Sequence, residues 1–162
     1  MKSIYSILLI FILIGCKGNS QETNKKTQKQ YTVFKTENEW KESLPQMAYY
    51  VLRKSGTEIA FSGPLNNNKK EGIYVCAGCQ SPLYKSEFKY DSGSGWPAFD
   101  RGIEKNLEYD VDYKIGYARS ELSCNNCGGH LGHMFGDGPK NTTGNRHCIN
   151  SAALNFIQTD EK

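Results

Sequence analysis

Six cysteines are distributed unevenly along this chain, and the odd one out is the place to look for chemistry. Two form Cys76-Ala-Gly-Cys79, two form Cys124-Asn-Asn-Cys127, Cys16 closes an apolar N-terminal run, and Cys148 is left over. Cys148 lies in Arg146-His147-Cys148-Ile149-Asn150-Ser151. Side chains alternate along an extended segment, so Arg146, Cys148 and Asn150 should share one face while His147 takes the other. A guanidinium beside the sulfur is expected to lower the thiol pKa from about 8.5 toward neutrality, and the thiolate is the nucleophile. The competing reading is a buried cysteine behaving as a small hydrophobe. Arg and Asn on the same face suit an apolar core poorly and favour the reactive thiol.

The paired cysteines predict a different chemistry. A two-residue spacing lets both sulfurs of a knuckle reach one ion, so Cys76, Cys79, Cys124 and Cys127 form the pattern of a tetrahedral four-thiolate zinc site. Such a site is structural, with no open coordination position. Gly128 and Gly129, directly after Cys127, permit the tight turn a knuckle needs. The long separation of the pairs would make the metal a staple between distant parts of the sheet. In an oxidising compartment the same four cysteines could instead form two disulfides. A redox-active pair fits less well, because that motif normally opens a helix in a βαβ setting that this stretch lacks.

These residues must be positioned by a domain that begins well into the chain. Lys2, the apolar run Ile4 to Ile14 and Gly15-Cys16 have the order of an export signal, too short for the roughly twenty residues of a bilayer span. The alternative is a short uncleaved apolar N-terminus. The segment resembles the bacterial lipobox, which makes Cys16 the expected lipid anchor, residues 1–16 the leader, and the cell envelope the location. Residues 17–30 contain no large apolar side chain and read as a tether of about 20 Å. Five of the twenty basic groups and one of the seventeen acidic groups precede residue 31, so residues 31–162 carry fifteen against sixteen. A net charge of −1 excludes the basic footprint of a nucleic-acid binder.

Residues 31–162 have the size of one domain. Thr36-Glu-Asn-Glu39 is a capping box, and Pro45 suits the first turn of a second helix running to about Lys54. From Glu58 onward, short runs bounded by turn residues, such as Gly72–Cys76, Leu107–Tyr113 and His147–Asn150, predict antiparallel strands. The loops at 66–71 and 136–144 are rich in Gly, Asn and Pro, and the second leads into the Cys148 segment. The fold class is mainly β with short N-terminal helices.

Three stretches carry a resemblance that covers essentially the whole domain. Asp91-Ser-Gly-Ser-Gly-Trp-Pro-Ala-Phe99, His130-Leu-Gly-His-Met-Phe-Gly-Asp-Gly-Pro139 and Thr143-Gly-Asn-Arg-His-Cys-Ile-Asn-Ser151 resemble the signatures of the B-type methionine sulfoxide reductases. The resemblance implies two packed antiparallel sheets in a tent-like arrangement, a structural zinc, and thiol-dependent reduction of the R epimer of methionine sulfoxide in peptides and proteins. It implies that Cys148 is the nucleophile and becomes a sulfenic acid. His133 is then the expected proton donor with His130 assisting, since imidazole suits proton transfer near neutrality. Arg146 and Asn150 would orient and polarise the site, and Asp137 would either fix a histidine or hold its loop. Phe135 and Asp137 fall on the substrate side. So does Trp96, as a wall for the S-methyl group, although a Trp in a Gly-Pro turn also fits a core plug.

Many members of that family carry a resolving cysteine where this chain has Ser94, and a hydroxyl cannot condense with a sulfenic acid. The expected partners are therefore oxidised proteins, a membrane reached through the anchor, and an external thioredoxin-like or small-molecule thiol. Ala98, where Ser is common, and His147, where an aromatic is usual, are the other departures. The rival reading is a non-enzymatic, zinc-stapled envelope module presenting a binding loop. Only the Cys148 cluster separates the two.

Overall fold

The computed structural model describes residues 29–159. The leader, Cys16 and tether residues up to 28 lie outside the described residues. Lys29, which its composition assigns to the tether, already sits on the domain, with Nζ 2.9 Å from Glu108 Oε1 and 2.6 Å from Asn125 Oδ1.

Helix α1 (Glu37–Ser43) starts as its sequence dictates: the Thr36 N–H donates to Glu39 Oε2 at 2.7 Å while Thr36 Oγ1 accepts from the Glu39 N–H. Helix α2 (Gln46–Lys54) follows, with Pro45 at its N-cap, one position before the predicted first turn. Nine strands come next: β1 (Gly72–Cys76), β2 (Pro82–Lys85), β3 (Lys89–Tyr90), β4 (Ala98–Phe99), β5 (Leu107–Asp112), β6 (Arg119–Cys124), β7 (His130–Phe135), β8 (Arg146–Ile149) and β9 (Leu154–Gln158). They form a three-stranded sheet, β2-β1-β9, and a six-stranded sheet, β3-β4-β8-β7-β6-β5, antiparallel throughout.

The interior is apolar and aromatic. Phe99 stacks on Tyr84 with centroids 4.2 Å apart and meets Tyr74 edge-on at 5.1 Å, joining β4 of the larger sheet to β1 and β2 of the smaller. Trp40, Val51 and Leu52 bring both helices onto this core. Two predicted strand limits move inward by one residue. Strand β5 stops at Asp112 because Tyr113 opens a turn closed by the Gly116 N–H on the Tyr113 carbonyl at 3.0 Å. Strand β8 stops at Ile149, and Asn150 caps a single 3-10 turn over Ser151–Ala153.

Candidate active site

The four paired cysteines meet in one cluster, their sulfurs all within 4.8 Å of one another. Cys79 Sγ lies 3.5 Å from Cys124 Sγ, and Cys76 Sγ lies 3.7 Å from Cys127 Sγ. A disulfide would need about 2.05 Å, and all four are free thiols. Four sulfurs at about 2.3 Å from one tetrahedral ion stand roughly 3.8 Å apart, so the donor set fits a metal. Each knuckle closes in the same way, the Gln80 N–H on the Cys76 carbonyl and the Gly128 N–H on the Cys124 carbonyl, both at 2.8 Å. Gly128 takes the left-handed φ of +69° that this turn requires. Cys76 ends β1 and Cys124 ends β6, so the cluster joins the two sheets.

Cys148 sits in the middle of the larger sheet. Its neighbours across the ladder are Ala98 on β4 and His133 on β7. Strand β7 comes unusually close, since a Cβ on Gly132 would stand 2.0 Å from the Cys148 carbonyl oxygen. Cys148, His133, Trp96, Phe135 and Asn150 line a cavity of about 130 Å³, together with Thr57 and Arg119. Alternation separates the two faces as predicted. His147 is buried on the other side, edge-on to Tyr84 and Tyr109 with Nδ1 3.4 Å from the Tyr84 hydroxyl.

The electrostatics of the sulfur differ from the expectation. Burial pushes the Cys148 thiol up from its ordinary value, outweighing the opposing pull of the Ser94 hydroxyl at 3.9 Å and of Arg146. The guanidinium is committed elsewhere: Nε and a terminal nitrogen bond Asp137 at 2.8 and 2.9 Å, and its plane lies 4.5 Å over the Phe135 ring. Asp137 therefore holds Arg146 and the base of the 136–144 loop, and touches no histidine; the loop itself closes through the Gly138 N–H on the Gly144 carbonyl. Alkylation of Cys148 by iodoacetamide is expected to show a midpoint above the roughly pH 8.5 of a free thiol. Arg146→Ala should move it higher. A midpoint at or below neutrality would contradict this account.

The two histidines do approach each other, with ring centroids 5.3 Å apart. In a regular strand, residues three apart face opposite sides. Here the β6–β7 register passes from Leu122–Gly132 to Ser123–His130, and the extra residue, Leu131, is a bulge that brings both imidazoles to one side. Each ring has its own carboxylate: His133 Nε2 lies 2.9 Å from Asp112 Oδ2, and His130 Nδ1 lies 2.5 Å from Glu121 Oε1. The backbone N–H of Lys114 holds the Asp112 carboxyl well below the usual range, assisted by His133 and Arg119. Burial pushes His130 down, and its ring does not line the cavity.

No motif in the sequence marks Asp112, Glu121, Arg119 or Thr57, and none marks Glu58, which organises the site more than any of them. Glu58 is 5% exposed, and every polar group it has is used. Its N–H donates to Asn150 Oδ1 at 2.9 Å, its carbonyl accepts from the Trp96 indole at 3.1 Å, and its carboxylate accepts from the Ser151 and Ala152 N–H groups at 2.5 and 2.9 Å. Asn150 is thereby fixed at both ends, since its Nδ2 donates to the Leu131 carbonyl at 3.0 Å. Trp96 lines the cavity and is tied back by its nitrogen. Glu58→Ala strands the buried Ser151 N–H, at about 1–3 kcal/mol, and the part-buried Ala152 N–H at less, so chemical denaturation should register a loss of roughly 2–4 kcal/mol.

A strand-borne cysteine faces a carboxylate-held histidine across an antiparallel ladder, in a cavity lined by an indole, on a two-sheet fold whose four paired cysteines could hold a metal; together these define a candidate thiol site. Residues 44–158 match the SelR domain, and the chain belongs to that family. It is 47% identical over 127 residues to a Leptospira interrogans protein named peptide methionine sulfoxide reductase MsrB, covering 78% of this chain and 96% of that one. A Chromohalobacter salexigens protein of the same name is 45% identical over 76% of this chain and 94% of its own length. Mouse methionine-R-sulfoxide reductase B3, mitochondrial, is 46% identical over 82% of this chain and 53% of its own length.

Proposed function

We propose that this chain is a peptide-methionine (R)-S-oxide reductase that repairs oxidised proteins of the bacterial cell envelope, held at a membrane by a lipid on Cys16. The observation that carries the reading is that Cys148, His133 and Trp96 open into one cavity with room for little more than a side-chain tip. The named activity of its relatives supports it. The envelope location rests on the leader pattern and the tether, and loss of membrane fractionation in Cys16→Ala is its test.

In the first half-reaction the Cys148 sulfur bonds to the sulfoxide sulfur, and the oxygen then passes to Cys148 as the S–O bond and the new S–S bond break, leaving a sulfenic acid on Cys148. Methionine leaves reduced by two electrons, and Cys148 is oxidised by two. The resting thiol, kept protonated by burial, supplies the proton that the oxygen needs. His133 moves that proton, and Asp112 fixes its ring. Trp96 offers its face to the S-methyl group. The Arg146–Asp137 pair shapes the rim and leaves the sulfur to the buried environment.

In the second half-reaction no other thiol among the described residues stands ready. Ser94 lies beside Cys148, and the other four described cysteines are grouped around the metal site. An external thiol therefore attacks the sulfenic sulfur, releasing water and leaving a mixed disulfide, and a second thiol frees Cys148. Zinc suits a tetrahedral set of four thiolates, and when bound it would supply a cross-link alone. The test is epimer selectivity. With dithiothreitol, the protein should consume the R-epimer sulfoxide of a peptide and leave the S epimer. Consumption of the S epimer, or of neither, would defeat the reading.

A further inference from the structure

Phe61 combines two features unfavourable to a large aromatic residue. Its ring is 71% exposed, and its backbone holds φ at +65°, a left-handed conformation that disfavours every side chain bearing a Cβ. The other two non-glycine residues with positive φ among the described residues have local reasons: Ser55 ends α2 and Gln80 closes a metal knuckle. Phe61 is the third residue of a turn closed by the Ser62 N–H on the Ile59 carbonyl at 3.2 Å, a position that takes positive φ but favours glycine or asparagine over a bulky ring. Retained strain beside a reactive site is the usual mark of a functional constraint.

Its position indicates what that constraint is. The Phe61 N–H donates to the Gly95 carbonyl at 2.8 Å, and a Cβ on Gly95 would stand 2.9 Å from Cδ2 and Cε2 of the Phe61 ring. The ring thus lies on Gly95. On one side of that glycine is Ser94, 3.9 Å from the Cys148 sulfur, and on the other is Trp96, the cavity wall. The cavity, about 130 Å³, equals roughly four water volumes and admits the sulfoxide end of one side chain. The polypeptide carrying that side chain must cross the rim, where Phe61 presents an open aromatic face.

We infer that Phe61 is a rim platform that selects methionine sulfoxide flanked by an apolar residue in an extended chain, and the inference rests on the reductase reading above. Covering the exposed part of the ring with a leucine side chain is worth about tenfold in affinity.

The experiment uses three R-epimer substrates: a peptide with Leu on both sides of the sulfoxide, the same peptide with Ser, and the N-acetylated, amidated amino acid, which has no flanks. The wild-type protein should show kcat/KM about tenfold higher for the Leu peptide than for the Ser peptide, mostly through KM. Phe61→Ala should bring the Leu peptide to the Ser level and leave the flankless substrate unchanged. Phe61→Gly should do the same with a thermal midpoint equal to or above wild type, because glycine relieves the backbone. Equal wild-type rates on the two peptides would overturn the platform and leave the reductase reading standing. Equal losses on the flankless substrate, or a lowered midpoint in Phe61→Gly, would show that the ring only holds the structure. No turnover of any substrate would defeat the reductase reading and the platform with it.

Discussion

Cys148→Ser protein is expected to fold normally and to lose turnover of a methionine-R-sulfoxide peptide by on the order of 10⁴-fold or more, the scale on which loss of a covalent nucleophile is felt. Cys148 is the one cysteine lining its cavity, and the neighbouring Ser94 cannot replace it. The Ser94 hydroxyl is 3.9 Å from the sulfur and is no match for a thiol as a nucleophile. The substituted serine keeps the shape of the strand, so the unfolding transition should move little. A single turnover of the wild-type protein without reductant should leave one oxygen on Cys148, trapped by dimedone and located by mass spectrometry. An intramolecular disulfide to Cys148, or metal released in step with turnover, would show instead that a knuckle cysteine resolves the intermediate. Activity surviving in Cys148→Ser would remove the nucleophile from the account altogether.

Removing the metal is expected to cost the fold itself. Four-thiolate zinc sites contribute on the order of 10 kcal/mol or more at neutral pH, comparable to the whole 5–15 kcal/mol by which a domain is stable. Here the four sulfurs that would hold the ion lie between the end of β1 in the smaller sheet and the end of β6 in the larger. Chelation at neutral pH, or Cys76→Ser, should abolish the cooperative thermal transition and the near-ultraviolet signal of the Tyr74–Phe99–Tyr84 cluster. The native protein should contain one zinc per chain. Metal-free protein that melts within a few degrees of the native form would refute the structural role.

Features set by a few adjacent residues are legible in the amino-acid sequence. Thr36 and Glu39 satisfy each other's backbone partners within one turn, so the first helix announces its start. The knuckles are equally local, and alternation alone separates Cys148 from His147. Features that depend on what lies across a ladder are not legible. The His130–His133 approach depends on the bulge at Leu131, and the carboxylates that hold the two rings, Asp112 and Glu121, arrive from β5 and β6. Glu58 sits in a connecting segment with no periodicity, and its role depends on partners more than ninety residues away. The shift expected for the Cys148 thiol has the wrong sign because Arg146, two positions away, is visible in the chain. The burial that outweighs it belongs to the tertiary structure.

The pairing of β7 with β8 makes activity a test of correct folding. His133 opposes Cys148 only in the native register, which aligns Gly132 with Ile149 and Met134 with His147. A slip of one residue in β8 would turn the thiol into the core and bring the His147 imidazole to the cavity. Gly132 guards against part of that error, because its missing side chain is needed where β8 passes closest, and any other β7 residue there would collide with the β8 backbone. Misassembled molecules would thus carry their cysteine concealed and neither reduce sulfoxides nor offer a stray thiol to the oxidants around them.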